Sequence, residues 1–293
     1  MSGIYKFKTS RLAPWALWFA RLCIPVAILS FLLMRFGGLH PSIAIYCFAV
    51  SVLLAALSIL TSWAAFHAIW FEGYRGGKWL WGAFVRSMVV LLPAAVAAFF
   101  YFTLPPFSDL STNPIDPPEF VAAWQMRTDA DNSLAIASLE AREAQTLAYP
   151  TLKSQVYDQP IALMQLALAD ELQKSKWQIL RSEEQKADGD NAYYEAYTRS
   201  FITGLRYVVV IRLSPTGEEE TTLDMRSASL WGGHDFGMNA RRIEGFVEGI
   251  NERMSSNVQR YELQLEEIER LRRLQMGPLP KPKPKNLGGP AVG

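Results

Sequence analysis

The chain has 293 residues, half of them hydrophobic, and a formal net charge of +1 at pH 7. This balance excludes a broadly cationic surface of the kind that binds nucleic acid, so no nucleic-acid partner is predicted. The apolar residues are concentrated before Pro105, which predicts a membrane part followed by a polar part.

Three apolar segments in the first part of the chain are long enough to cross a bilayer. They cover residues 15–36, 42–71 and 79–104. About 20 apolar residues cross the hydrocarbon core, and tryptophans cluster at the segment ends as they do at membrane interfaces. Residues 1–104 are therefore predicted to form a membrane region of three helices, with membrane lipid as a partner.

Positive charges predict the orientation of these helices. They are found in the N-terminal tail (Lys6, Lys8, Arg11) and in the second loop (Arg75, Lys78). The segment after the third helix contains no lysine or arginine until Arg127. Because cytoplasmic loops carry the excess of positive charge, the tail is predicted to be cytoplasmic and everything after Pro105 extracytoplasmic. In a Gram-negative cell, that compartment is the periplasm.

The polar part is predicted to be an α+β domain over residues 119–257, joined to the membrane by a proline-rich strap over residues 105–118. A helical pattern covers residues 160–174. Four candidate strands follow, at residues 177–183, 192–201, 206–213 and 221–229. Short polar turns between them favour an antiparallel sheet, and the flanking helices predict that one face of it is covered, in two layers.

The last helix is predicted to run from residue 240 to residue 275. Its first half carries an apolar stripe, formed by Ile243, Val247, Ile250 and Met254, that we expect to pack on the sheet. The helix would be roughly 50 Å long, so residues 258–276 either project into solvent or bind a protein partner or a second copy. Residues 277–293 alternate proline and lysine, which is typical of a disordered tail.

The residue types needed for several kinds of chemistry are scarce in the polar part. The two cysteines, Cys23 and Cys47, lie in apolar segments, and the only histidine after residue 104 is His234. Zinc and copper sites usually need several such ligands, so no metal or cofactor is predicted. Ser227, His234 and Asp235 are neighbours, but the Gly-x-Ser-x-Gly elbow of many serine hydrolases is absent, and we assign no catalytic residue.

Two strings near the end of the polar part carry a resemblance to a known family. Asp224-Met225-Arg226-Ser227-Ala228-Ser229 precedes Asp235-Phe236-Gly237-Met238-Asn239-Ala240-Arg241-Arg242-Ile243. Together they resemble the signature of the uncharacterised domain-of-unknown-function family number 1499, whose N-terminal end the string over residues 111–120 also resembles. Leu230 departs from that pattern, in which an arginine is usual at this position. The resemblance implies no activity.

These strings place polar side chains at the end of a strand and the start of a helix, where free N–H groups favour anions. The candidate ligand-binding residues are Arg226, Ser227, Ser229, Asp235, Asn239, Arg241 and Arg242. Two interpretations stay open. The cluster either binds a small anion or a lipid head group, or it is structural, with Arg226 paired to Asp224 or Asp235 and with Asp235 or Asn239 capping the helix.

The predicted function is that of a non-enzymatic accessory or scaffold protein of the cell envelope. The alternative is an extracytoplasmic binding module for a small anion or lipid head group at Arg226, Asn239 and Arg241. The architecture predicted for either role is a membrane-anchored α+β protein with a mainly antiparallel four-stranded sheet and a long C-terminal helix.

Overall fold

The computed structural model describes residues 8–185, 189–217 and 219–275. The tail predicted for residues 277–293 lies outside this range. The chain begins with helices α1 (Leu12–Arg35), α2 (Pro41–Glu72) and α3 (Gly77–Thr103). All three are long and apolar enough to cross a membrane, in agreement with the sequence prediction.

Small residues allow these three helices to pack closely. Ala16 and Ala20 of α1 are buried against Ala83 of α3. The Ser58 hydroxyl of α2 donates a hydrogen bond of 2.9 Å to the backbone oxygen of Ala16. Close backbone approach with a polar contact between helices is typical of helix association in lipid, where apolar surface gives no advantage over the lipid tails.

The N-terminal tail and the α2–α3 turn lie at the same end of this bundle. The Ser10 N–H donates to the Arg75 oxygen at 3.1 Å, and the Arg75 N–H donates to the Lys8 oxygen at 2.9 Å. The α1–α2 turn and the C-terminal end of α3 therefore form the opposite end, from which the polar domain continues.

The polar domain contains six strands, three α-helices and one 3₁₀ helix among the described residues. In chain order these are β1 (Asp109–Ser111), a 3₁₀ helix (Ala122–Met126), α4 (Leu139–Ala148), β2 (Gln155–Tyr157), α5 (Ile161–Ser175), β3 (Gln178–Glu183), β4 (Ala192–Arg199), β5 (Arg206–Pro215), β6 (Thr221–Ser229) and α6 (Met238–Gln275). The prediction of an α+β domain with a long last helix is confirmed.

The strands form one antiparallel sheet in the order β1-β6-β5-β4-β3, and β2 also pairs with β6. The prediction of four strands is wrong because it omits β1 and β2. Each has only three residues, too few for a recognisable alternation of apolar and polar side chains. Both pair along the same edge of β6, β2 opposite Thr221–Leu223 and β1 opposite Arg226–Ala228. Strand β1 lies inside the segment predicted to be a strap.

Both faces of the sheet are covered, whereas the sequence predicted one covered face. Leu223 and Met225 belong to the core formed with α5 and α6. On the opposite face, Ala228 and Val210 pack with Phe120 from the segment before the 3₁₀ helix. This second cover has little regular structure, so periodicity did not reveal it.

Two buried polar side chains fasten this irregular cover and the sheet edge. The Glu195 carboxylate on β4 is fully buried and accepts the backbone N–H groups of Val121, Ala122 and Ala123 at 2.9–3.2 Å. The Gln145 amide of α4 accepts the Ser111 N–H at 3.2 Å and donates to the Ser111 oxygen at 2.6 Å. Helix α4 thereby occupies the outer edge of β1, which would otherwise expose unpaired backbone groups.

Helix α6 packs antiparallel to α5 over much of its length. Gly249 of α6 faces Glu171 of α5, and Tyr261 is fully buried against Leu163 and Ala167. The 38 residues of α6 correspond to a length of about 57 Å. Beyond Tyr261, the side chains of Leu263, Ile268, Leu271 and Leu274 are exposed.

Two glycines of α6 form a matched pair for testing this packing. A Cβ at Gly249 would lie 2.6 Å from the Glu171 side chain, whereas a Cβ at Gly245 would meet nothing within 4 Å. We expect Gly245→Ala to stabilise the domain by about 0.5–1 kcal/mol through helix propensity. Gly249→Ala should destabilise it by about 1–2 kcal/mol, because Glu171 must leave its 2.8 Å contact with Arg253 Nε. Thermal unfolding of the purified chain measures both, and equal gains in the two variants would contradict the close α5–α6 contact.

Candidate functional site

The connection from β6 to α6 is closed by the carboxylate of Asp235. Its Oδ1 accepts the Gly237 N–H at 2.9 Å, and its Oδ2 accepts the Asn239 N–H. Phe236 and Gly237 have φ angles of 56° and 72°, which fold the backbone around the carboxylate. Of the two capping residues considered from the sequence, Asp235 holds this position. The chain's own carboxylate thus occupies the place at the helix start where one of the two open interpretations put an external anion.

Asn239 connects the first turn of α6 to β6 and to the segment that follows α3. It is fully buried. Its Nδ2 donates to the Ser108 oxygen at 2.9 Å and to Ser229 Oγ at 3.1 Å. Its Oδ1 accepts from Ser227 Oγ at 2.8 Å and from Arg242 Nη1 at 3.0 Å. An amide side chain offers two donors and two lone pairs, so the hydrogen-bonding capacity of Asn239 is fully used within the chain.

Arg242 closes the same cluster from one turn along α6. Its Nη1 donates to Ser227 Oγ at 3.2 Å, and its guanidinium lies 3.9 Å from the centre of the Tyr207 ring. Burial lowers the pKa of Arg242, against the opposing effects of Tyr207 and Asp235. Burial also raises the pKa of the Asp235 carboxyl, although its two N–H donors and nearby positive charge act in the other direction. Ionised Arg242 and Asp235 therefore stabilise each other in a poorly solvated place.

Arg226 lies on the opposite face of the sheet, because successive residues of a strand point to opposite sides. Its Nη2 donates to Asp109 Oδ2 at 2.6 Å and its Nη1 to the Pro118 oxygen at 3.1 Å. Further donors reach the oxygens of Leu134 and Ala135 at 3.1 and 3.0 Å, and the guanidinium lies 4.7 Å from the centre of the Phe120 ring. Arg226 thus fastens the irregular cover to β6.

The partner predicted for Arg226 is therefore corrected. The prediction named Asp224 or Asp235, but the carboxylate that pairs with Arg226 belongs to Asp109 on β1. Asp224 instead accepts Arg212 Nη2 at 2.6 Å and the Ser154 hydroxyl. The pairing of β1 with β6 brings Asp109 to this position, and β1 was not recognised in the sequence.

The seven predicted site residues do not converge on one place. Five form a single polar cluster, which we call the helix-start cluster: Ser227, Ser229, Asp235, Asn239 and Arg242. Arg226 lies on the other face of the sheet, and Arg241 is exposed at the surface of α6. Tyr207, which the sequence reasoning missed, stacks on Arg242. Tyr207 pairs with Ser229 across β5 and β6, so the strand register places it next to the cluster. The sequence alone does not give that register.

The helix-start cluster borders the three N-terminal apolar helices through His234. The ring Nδ1 accepts the Phe236 N–H at 2.9 Å, so the proton is on Nε2, which donates to the Leu104 oxygen at 3.0 Å. The ring stacks on Tyr101 near the end of α3, with centroids 5.0 Å apart. His234 therefore joins the start of α6 to the end of the third apolar helix.

The α1–α2 turn makes further contacts with the domain. Arg35 Nε donates to the Phe201 oxygen in the β4–β5 connection at 3.1 Å. The His40 ring meets Trp231 edge to face, with centroids 6.4 Å apart. The domain thus rests on the end of the bundle that is opposite to the N-terminal tail. Within the described part of the chain, no group of three histidine, cysteine or acidic residues is placed to hold a metal ion.

Residues 109–250 match the model of a family described as protein of unknown function, DUF1499. This part of the chain is a DUF1499 domain. The match begins at β1, so it includes the strand that supplies Asp109, and it contains the whole helix-start cluster. The resemblance seen in the sequence is thereby confirmed for this part of the chain.

One solved structure with similarity to the chain is the crystal structure of CalU16 from Micromonospora echinospora. It is 18% identical, and the alignment covers 38% of this chain and 79% of that one, with a TM-score of 0.22. Similarity at this level adds nothing to the description of the DUF1499 domain. None of the curated proteins matches the chain.

Removing the Asn239 side chain tests the structural role of the helix-start cluster. Asn239→Ala removes the acceptor of the buried Ser227 hydroxyl, one acceptor of Arg242 and one of the two donors to the Ser108 oxygen. We expect a loss of about 2–4 kcal/mol, seen as a fall of about 5–10 °C in the thermal midpoint of the purified chain. The matched control is Asn251→Ala, also in α6, which removes one exposed hydrogen bond to Tyr157 of β2. It should change the midpoint little. Equal effects of the two substitutions would contradict this role.

Proposed function

We propose that the protein is a non-enzymatic accessory or scaffold protein of the cell envelope. It would be a multi-pass protein of the inner or plasma membrane, with its N-terminal tail in the cytoplasm and its DUF1499 domain outside. In this proposal the domain holds α6 as a rigid arm, and the distal part of α6 binds a protein partner.

The arrangement of the helix ends supports the orientation. The tail is hydrogen-bonded to the α2–α3 turn at one end of the bundle, and the DUF1499 domain contacts the other end. Lys8, Arg11 and Lys78 lie at the tail end. Because positive charge is enriched in cytoplasmic segments, that end is assigned to the cytoplasm and the domain to the outside.

The observation that carries the scaffold role is the complete use of Asn239 by the chain itself. Its four hydrogen bonds connect α6, β6 and the membrane exit, and the Asp235 carboxylate fills the helix start. A cluster that is satisfied internally fixes the direction of α6 and offers little to a ligand. The role in binding is therefore assigned to the far end of the helix.

The distal part of α6 has the composition of a helix that binds another helix. Leu263, Leu271 and Leu274 are 53–70% exposed, which is unusual for three large apolar side chains on one short segment. Four glutamates over residues 262–269 precede three arginines at 270, 272 and 273. Apolar residues flanked by charges of both signs are typical of helices that pair selectively.

Cysteine labelling tests the orientation. Cys23 and Cys47 are first replaced by alanine, and a single cysteine is then introduced at Ser256, which is exposed on α6, or at Lys78. A membrane-impermeant maleimide added to intact spheroplasts should label Ser256→Cys and leave Lys78→Cys unlabelled until the cells are lysed. The reverse pattern would overturn the proposed topology.

The partner is tested by placing charge on the apolar side chains of the arm. Leu271→Glu with Leu274→Glu should abolish a complex seen when membranes are solubilised in mild detergent and resolved on a native gel. Gln264→Glu with Gln275→Glu adds the same charge to the same helix and should leave the complex intact. If the unaltered chain migrates as a monomer, or if both pairs act alike, the proposed role of the arm is wrong.

A further inference from the structure

An apolar groove separates α2 from α3 at the end of the bundle next to the N-terminal tail. Its volume is about 550 Å³. Its walls are mainly aromatic and aliphatic, and the side chains that shape it most are Trp63 and Phe66 of α2 and Trp81 and Phe84 of α3. Two small residues, Ser62 and Gly77, leave the space that the larger side chains border.

The groove runs along the helices. Its α2 residues extend from Ile59 to Ile69, and ten residues of helix correspond to about 15 Å. The side chains of Trp63 and Trp81 are 74% and 69% exposed on the bundle surface. An elongated apolar space on the bundle surface suits an acyl chain in length and polarity.

Three basic residues lie at the end of the bundle where the groove is found. Gly77 lines the groove, and the exposed Lys78 follows it at the start of α3. The backbone pairing of the tail with Arg75 places Lys8 beside the same turn, and the exposed Arg11 begins α1 there. The same end carries one acid, Glu72, which lies next to Tyr74. Basic pockets between helices at a membrane surface are places where anionic lipid head groups bind.

We propose that this groove is a binding site for an anionic phospholipid. One acyl chain lies between α2 and α3 along Trp63, Phe66 and Trp81, and the phosphate is held by Lys8, Arg11 and Lys78. An amphiphile with a negative head matches an apolar interior with a basic end. A second copy of the chain fits less well, because symmetric pairing at this groove would bring two basic ends together. The inference rests on the membrane insertion assumed in the proposed function and on no other part of it.

Native mass spectrometry of the full chain in mild detergent tests the site. The probes are phosphatidylglycerol and phosphatidylcholine with identical acyl chains. The unaltered chain should bind one phosphatidylglycerol with a preference of at least about 25-fold over phosphatidylcholine. Lys8→Gln with Lys78→Gln should weaken phosphatidylglycerol binding about 25-fold, a factor of about five for each lysine, and leave phosphatidylcholine binding unchanged. Lys153→Gln with Lys176→Gln, two exposed lysines of the DUF1499 domain, is the matched control and should change neither.

A second variant tests the groove itself. Ser62→Phe fills the space between the helices and should weaken the binding of both lipids. If this variant fails to fold, the lysine variants still test the site. Equal affinity for the two lipids, or full phosphatidylglycerol binding by Lys8→Gln with Lys78→Gln, would overturn the site. So would a dimer that Ser62→Phe dissociates. Extraction of the chain from membranes by alkaline carbonate would overturn both this site and the proposed function, whereas a membrane-retained chain without lipid preference overturns the site alone.

Discussion

The buried amide of Asn239 lies where three parts of the chain meet: the first turn of α6, the last strand of the sheet and the segment that follows α3. Each of its donors and acceptors has a partner from the chain. A buried amide with an unmet group would cost more free energy than a single hydrogen bond contributes, so the three parts are held in one arrangement. The direction of α6, and with it the position of the distal arm, depends on this contact.

The alternation of strand β6 divides the anchoring of the domain between two faces. Ser227 and Ser229 point toward α6 and receive Asn239 and Arg242. Arg226 points the other way, where it is almost fully buried and pairs with Asp109. Removing one partner of such a pair leaves an uncompensated buried charge, so the position of the irregular cover depends on Arg226 as well as on Glu195.

The contacts at the bundle end give the domain a fixed base. His234 bonds the end of α3, Arg35 bonds the β4–β5 connection, and His40 meets Trp231. These contacts come from both the α1–α2 turn and α3. The domain is therefore attached to the helix bundle by more than the segment that follows α3. A fixed base, an internally satisfied helix start and an exposed helix end together are the properties of a scaffold, as proposed above.

Local patterns in the sequence determined the elements that have a clear period or length. The three apolar helices, four of the six strands, α5 and α6 were all predicted because each is long enough to show apolar repetition. The sequence limited the residue that caps α6 to Asp235 or Asn239, because few residue types cap helices.

The tertiary structure alone decided the rest. The edge strands β1 and β2 exist because β6 offers a free edge, and Asp109 reaches Arg226 through that pairing. The seven polar residues were predicted to meet because they are close in sequence, but adjacent residues of a strand face opposite sides, and only the packing of α6 and the strap shows which of them share a face.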